Sequence, residues 1–310
     1  MRVGVEDAVT DASPAKGRGR RQAGRPAPIT TASSRSIRDK AERSAQCPAR
    51  SRGSLSGMDL ATRARTLLDL HHTGRTLVLP TVWDAWSAKV VIEAGFPALS
   101  IGSHPLADSR GQDDKEDMSL DDALDGVRRI CGAAPDRPVT ADVESGYDTA
   151  PARLIERILD AGAVGLNVED TVHSKGRMRS VEEHADYIGG LRQAADSAGV
   201  DVVINARTDV FLKPAGTFED PVAEVITRLR ACEEAGARCV YPVGVPDAGT
   251  LRTLLNELSG PINVIANPRS GSTAGSLADL QALGVHRVTF GPRLQQELMA
   301  DLKALTKPWI

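Results

Sequence analysis

The chain has 310 residues and a formal net charge of −3, and its 41% hydrophobic residues supply a sizeable core that must be aliphatic, because aromatics make up only 3%. The charge is unevenly placed: residues 1–57 hold 12 Lys/Arg against 5 Asp/Glu, so the other 253 residues carry a net −10, which argues against a nucleic-acid surface on the folded part. Four cysteines (Cys47, Cys131, Cys232, Cys239) without ligand spacing, and no apolar run long enough to cross a bilayer, exclude a disulfide framework, a zinc site and a membrane span and point to a reducing, cytoplasmic setting.

In chain order, residues 1–57 come first, rich in Arg, Ser, Ala, Gly and Pro and without apolar periodicity. Such a composition predicts a disordered basic extension, or an over-early start with Met58 as the true one. It lacks the apolar stretch of a secretory signal. A catalytic domain is expected over 58–310. It opens with a helix over 59–70 that ends near Gly74. Eight β-rich runs follow, at 76–82, 98–103, 138–144, 165–170, 202–208, 239–244, 262–267 and 287–291. Helical periodicity fills the intervals, with capping signals at Ser119…Asp122, Ser180…Glu183 and Ser276…Asp279. Gly95, Gly162, Gly236 and Gly284 each stand where a left-handed helix stop precedes a strand. Eight βα units in about 250 residues predict an α/β fold, a closed (β/α)8 TIM barrel. A doubly wound sheet is the poorer alternative, because no Gly-rich dinucleotide loop follows the first strand.

Polar residues cluster where strands end, which is where barrel active sites are built. Strand three ends Asp142-Val143-Glu144, and a period of two puts both carboxylates on one side. Strand four ends Asn167-Val168-Glu169-Asp170, strand five Asn205-Ala206-Arg207-Thr208-Asp209, and strand seven at Asn267. Three carboxylates converging on one mouth repel unless a cation sits among them. Oxygen ligands without His or Cys suit Mg²⁺ or Mn²⁺. Arg207 offers a planar fork for a substrate carboxylate. The bland alternatives are an Arg207 ion pair with Asp142 and Glu144, a Glu169–Lys175 pair, and Asn205 and Asn267 satisfying loop backbone.

The stretches LPTVWDAWSAKVVIEAGFPAL (79–99), SRGQDD (109–114), VTADVESGY (139–147), GLNVEDTVHSK (165–175) and INARTD (204–209) resemble the isocitrate lyase/phosphoenolpyruvate mutase superfamily over residues 75–300. The resemblance implies Asp142 as the direct Mg²⁺ (or Mn²⁺) ligand, with Glu144 and Glu169 acting through its water shell. It implies Gly102 and Ser103 as a cradle for a substrate carboxylate; Asn267, at the end of strand seven, is a further substrate-binding candidate from its position alone. Arg207 is placed at the carboxylate or C2 oxygen, and Lys175 and Asp114 on loops that reach the chemistry. It further implies homotetramers that swap the last helix, here Gln295–Trp309, and a small carboxylate as the partner. The shared chemistry is a metal-stabilised enolate formed when a bond at C3 breaks.

The sequence departs from the superfamily's lyases on the loop after strand four. Where those enzymes carry K-[KR]-C-G-H, this chain has Lys175-Gly176-Arg177-Met178-Arg179, and a guanidinium cannot donate a proton near neutral pH. The strand-six Glu is replaced within Tyr-Pro-Val-Gly (241–244), and the K-T-N-S segment of the mutases is missing. A Mg²⁺-dependent lyase or decarboxylase for a small 2-oxo or 2-hydroxy (di)carboxylate is the leading expectation. Phosphonopyruvate-type P–C chemistry is the alternative, and a non-catalytic metal/carboxylate-binding barrel the third. The 171–180 segment, with Lys175, Arg177 and Arg179, is expected to close as a lid over a multiply charged anion.

Overall fold

The computed structural model describes residues 58–310; the predicted basic extension over 1–57 lies outside the described residues. Helix α1 (Leu60–Leu70) begins at Asp59, whose side chain accepts from the Thr62 N–H at 2.7 Å, as an N-cap should. The chain then runs through β1 (Leu77–Leu79), β2 (Thr81–Val82), α2 (Ala85–Glu93), β3 (Leu99–Ile101), α3 (Ser103–Asp108), α4 (Leu120–Ala133), β4 (Val139–Asp142) and α5 (Pro151–Ala161). Next come β5 (Gly165–Glu169), the short β6 (Thr171–Val172) and β7 (Arg177–Met178), α6 (Val181–Ser197), β8 (Val203–Thr208), α7 (Pro221–Glu234) and β9 (Cys239–Pro242). The last elements are α8 (Ala248–Glu257), β10 (Asn263–Ile265), α9 (Leu277–Leu283), β11 (Arg287–Thr289) and α10 (Arg293–Thr306).

Strand pairing closes a barrel. One parallel run goes β2-β3-β4-β5-β8-β9 and another β1-β11-β10. A parallel bridge between Val240 and Ile262 joins them on one side. On the other, β1 and β2 are one stave interrupted at Pro80, which has no N–H to give a ladder. The eight staves lie at the eight predicted runs. Gly95, Gly162, Gly236 and Gly284 all adopt positive φ, as the helix-stop reading requires. The hairpin β6–β7 and helix α3 are additions that periodicity does not show, being only two and six residues long.

Aliphatic side chains fill the layer between strands and helices, with Leu166, Ile204 and Val240 completely buried. Helix α1 plugs the end where the strands begin: a Cβ on Gly165 would meet Leu67 Cδ2 and Thr140 Cβ at 2.9 Å, so only glycine fits there. The barrel interior itself is unusually polar. Thr140, Asn167, Asn205, Asn263, Arg287 and Thr289 are all buried, where such barrels usually stack Val, Ile and Leu.

One local expectation is corrected. Strand β4 stops at Asp142, and Glu144 takes φ +49°, so a period-two strand is not what aims Glu144. A tight left-handed turn does it instead, with the Glu144 N–H donating to Asp142 Oδ1 at 3.0 Å.

Candidate active site

At the carboxyl ends of the strands, the turn after β4 is held in strained backbone. Glu144, Tyr147 and Asp148 have φ of +49°, +53° and +48°, which non-glycine residues adopt only where the surroundings enforce it. Tyr147 Oη donates to Glu144 Oε1 at 3.0 Å. Glu144 Oε2 is buried without a hydrogen-bond partner; the nearest base, His173 Nε2, is 3.9 Å away. Burial first, then Asp114 and Asp142, push the Glu144 carboxyl up to about 8. Burial also raises Asp142, with Arg207 opposing.

Strand β8 brings in Arg207, whose Nη1 lies 2.6 Å from Glu169 Oε2 and 4.0 Å from Asp142 Oδ2, while its Nε donates to Asp209 Oδ1 at 2.7 Å. Burial works against the guanidinium charge, yet Glu169, Asp209 and Asp142 keep it firmly protonated. Glu169 also meets His173 Nε2 at 2.6 Å; burial raises its pKa against the pull of Arg207 and that hydrogen bond. The bland reading of Arg207 as an ion-pair partner therefore holds in part, with Glu169 rather than Glu144 as the close partner. Asp170, next in sequence, faces away and is structural: it accepts from Thr208 Oγ1 at 2.6 Å and the Asp209 N–H at 3.0 Å, and Arg228 Nη1 lies 3.3 Å off.

Asp142 and Arg207 line a cavity of about 190 Å³, together with Asn167, Gly102, Ser103, His104 and Asp114. That is below the range for drug-sized ligands and suits a small metabolite. A Cβ on Gly102 would stand 2.8 Å from Thr81 Cγ2 and Pro105 Cγ, so the close wall needs glycine. Asp114 Oδ2 meets His104 Nδ1 at 3.2 Å, and its Oδ1 is buried without a partner. An outer chamber of about 440 Å³ continues past Glu144, Glu169 and Arg207 to Lys115, His173 and Lys213.

The structure thus brings Asp114, Asp142, Glu144, Glu169, Arg207, Gly102 and Ser103 together, and leaves two predicted site residues outside. Lys175 is more than half exposed and pairs with Asp148 at 3.5 Å. It does not line either chamber, nor does it pair with Glu169. Asn267 Oδ1 accepts from the Arg269 and Ser270 N–H groups, and its Nδ2 donates to Glu297, so its amide serves a turn and α10 rather than substrate. The predicted anion-capturing arginines are also spent. Arg177 forks onto Glu183 at 2.6 and 2.8 Å. Arg179 donates to the carbonyls of Glu169 and Ser145 at 3.0 and 2.8 Å and stacks over Tyr187. The cations that do face the outer chamber, Lys115 and Lys213, stand just past the ends of the SRGQDD and INARTD stretches, so the motifs themselves do not single them out.

Asp142, Glu144 and Glu169 were the predicted metal residues. Among the described residues no three His, Cys, Asp or Glu side chains converge closely enough to enclose an ion by themselves. The donor set nevertheless fits a hard cation that keeps part of its water. Five carboxylates, Asp114, Asp142, Glu144, Glu169 and Asp209, face one partly buried arginine, and two of their oxygens are buried with no partner.

The phosphoenolpyruvate phosphomutase family model matches residues 67–308. The chain is 29% identical over 262 residues to the 2,3-dimethylmalate lyase of Eubacterium barkeri, covering 81% of this chain and 86% of the lyase. Its fold superposes on the crystal structure of a provisional phosphonomutase from Burkholderia cenocepacia J2315 with a TM-score of 0.72 and 40% identity, covering 79% of this chain and 99% of that one. It also superposes on an oxaloacetate acetylhydrolase in complex with its product oxalate, with a TM-score of 0.71 and 25% identity over 80% and 86% of the two chains.

Proposed function

The chain belongs to the phosphoenolpyruvate phosphomutase family, within the isocitrate lyase/phosphoenolpyruvate mutase superfamily, and from that premise we propose that it is a divalent-metal-dependent lyase or decarboxylase for a small 2-oxo or 2-hydroxy dicarboxylate. Relatives that are lyases and mutases make it an enzyme rather than a non-catalytic barrel. The observation that carries the reading is the excess of carboxylate over Arg207 at the mouth, with Glu144 Oε2 and Asp114 Oδ1 buried and unpartnered.

Asp142, Glu144 and Glu169 would hold Mg²⁺ or Mn²⁺. When bound, the cation supplies a Lewis acid for negative charge on the C2 oxygen of a 2-oxo acid. The chain's own groups do the rest. Gly102 and Ser103 form the wall against which a substrate carboxylate rests. Arg207, fixed by Glu169 and Asp209, adds positive charge at the reacting end at no reorganisation cost. Lys115 and Lys213 face the outer chamber and would receive a second acidic group. His104, held by Asp114 at the cavity wall, can pass a proton, a duty the described cysteines cannot take because all three are buried away from the chambers. Helix α10 exposes Leu298, Leu302 and Leu305, which supports the proposed tetramer in which this helix packs on a neighbouring subunit.

The 40% identity to a structure named as a phosphonomutase favours P–C chemistry as the second reading. Turnover of oxaloacetate, methylisocitrate, dimethylmalate and phosphonopyruvate with Mg²⁺ separates the two, with Asp142→Ala as control. A dicarboxylate should turn over, and chelator or Asp142→Ala should abolish the rate. Turnover of phosphonopyruvate alone would transfer the assignment to phosphorus chemistry, and Mg²⁺-independent turnover would sink both.

A further inference from the structure

We propose that Asn167 is a substrate-binding residue whose amide NH2 is aimed into the cavity, and that the buried Arg287 is the positioning residue that fixes it there. This rests on the reading of the mouth as a metal and 2-oxo acid site, and extends it to two residues that motif comparison leaves unassigned.

An asparagine amide can be turned end for end, so its neighbours decide which end faces the cavity. Arg287 stands on β11, and its Nη2 crosses the barrel interior to one end of the Asn167 amide on β5, at 3.2 Å. A guanidinium only donates. The end of the amide that faces it must therefore be the oxygen. Asn205 Nδ2 lies 2.8 Å from that same oxygen, so Oδ1 is held twice from the barrel side. The Nδ2 end has no acceptor among the described residues, yet it is not one of the buried polar atoms left unpartnered. It is open, and Asn167 lines the 190 Å³ cavity.

Register places this donor beside the chemistry. Asn167 is paired across the ladder with Asp142 on one side and Asn205 on the other. A substrate oxygen brought to Asp142 therefore meets a neutral N–H donor on the neighbouring stave. A carboxylate in that place would repel the anion, whereas an amide stabilises charge growing on its oxygen. Arg287 is completely buried, its Nε and Nη1 lack partners, and no carboxylate among the described residues pairs with it. Burying a lone charge is costly, and the oriented amide is what that cost maintains.

Oxalate, the smallest dianion with two adjacent carboxylates, is the probe, titrated calorimetrically with saturating Mg²⁺ alongside the Asn167 side-chain amide resonance. Asn167→Leu should weaken oxalate about 10- to 100-fold, the worth of one hydrogen bond to a charged group. Arg287→Met should weaken it too and abolish the oxalate-induced amide shift, while Arg287→Lys restores both. Should Arg287→Met fail to fold, Arg287→Gln takes its place, since a terminal amide lets Asn167 turn either way. Wild-type affinity in Asn167→Leu overturns the assignment, and a wild-type amide shift in the Arg287 variant overturns the positioning role. A wild type that ignores oxalate overturns the reading of the mouth and this assignment together, so the wild-type arm tells the two failures apart.

Discussion

Glu116 holds Ser145 across two loops: its Oε1 accepts from the Ser145 N–H at 3.2 Å and from the Ser145 hydroxyl, and also from the Tyr147 N–H at 3.0 Å. That one carboxylate pins the strained turn carrying Glu144. Left-handed backbone at non-glycine residues costs about 1–3 kcal/mol each and persists only when over-determined. Glu116→Ala should let the turn relax and lower kcat by up to about 10²-fold, the scale of a roughly 1 Å misplacement. Glu116→Gln, which keeps one acceptor oxygen, should fall between. Steady-state kinetics alongside thermal melts decide it: a lower Tm with unchanged kcat would make Glu116 merely structural.

Arg179 is a tie between the β4 and β5 ends rather than an anion trap. Its guanidinium bonds to the Glu169 and Ser145 carbonyls and lies 4.3 Å from the Tyr187 ring centroid. Removing it strands two acceptors, at about 1–3 kcal/mol each. Arg179→Ala should therefore lower Tm, by about 2–4 °C for each kcal/mol in a domain of this size, with KM little changed. A raised KM at unchanged Tm would put Arg179 on the substrate after all.

The barrel was legible because each signal was local. Alternating strand and helix patterns, Ser180 and Ser276 caps, and glycine stops each need only a few adjacent residues, and the structure has complete capping boxes at both serines. The carboxylates at strand ends were legible for the same reason. What sequence order could not show was pairing at a distance. Arg179, Arg177 and Lys175 read as one cationic lid, yet each is claimed by a partner on another element, Ser145, Glu183 and Asp148. Arg287 read as an ordinary strand residue, and its reach across the barrel to Asn167, 120 positions earlier, has no local signature.

The metal-free protein should lose stability as pH rises from 6.5 toward 8. Burial lowers His71 and His184 to about 3, so between there and 6.5 these two groups favour folding as pH rises, and the burial-raised Glu144 and Glu169 oppose them from 4.5 upward. Burial and neighbouring carboxylates raise Glu144 from 4.5 to about 8. The native state keeps that proton from 4.5 up to about 8, so above 6.5, where the histidines no longer oppose it, stability falls as pH rises. Mg²⁺ should flatten that decline by neutralising the same carboxylates. Melting curves from pH 4 to 9 (a range chosen to span about 2 units beyond the ordinary His value) test this. An apo protein whose Tm climbs through pH 8 would contradict the buried-carboxylate cluster.

Residues 1–57 should be dispensable. Their Arg-, Ser- and Gly-rich composition offers no face to bury, the family match begins at 67, and Asp59 already caps the first helix. A 58–310 protein should equal the full chain in Tm and Mg²⁺ affinity. A loss beyond about 1 kcal/mol, the scale of one ordinary substitution, would show that the segment contributes to the fold.

Substrate charge should be read by Lys213, not Lys175. Lys213 Nζ donates to Thr171 Oγ1 at 3.1 Å and lines the outer chamber with Glu169, Arg207 and Asp209. That lodges an ammonium beside the reacting end with a neutral hydroxyl as its partner, free to meet a second acidic group. Lys175 faces the other way, in a 3.5 Å pair with Asp148 whose side chains are 56% and 49% exposed, and such pairs are worth about 0–1 kcal/mol. Lys213→Ala should raise KM for a dicarboxylate about tenfold, the equivalent of one charge-assisted contact, and leave a monocarboxylate analogue nearly unaffected. Lys175→Ala should alter neither constant more than about twofold. Steady-state kinetics on a matched mono- and dicarboxylate pair distinguish the two lysines. A large kcat loss in Lys175→Ala with Lys213→Ala silent would mean that the β6–β7 turn swings inward during turnover and delivers Lys175 to the substrate, as its place in the superfamily motif implied.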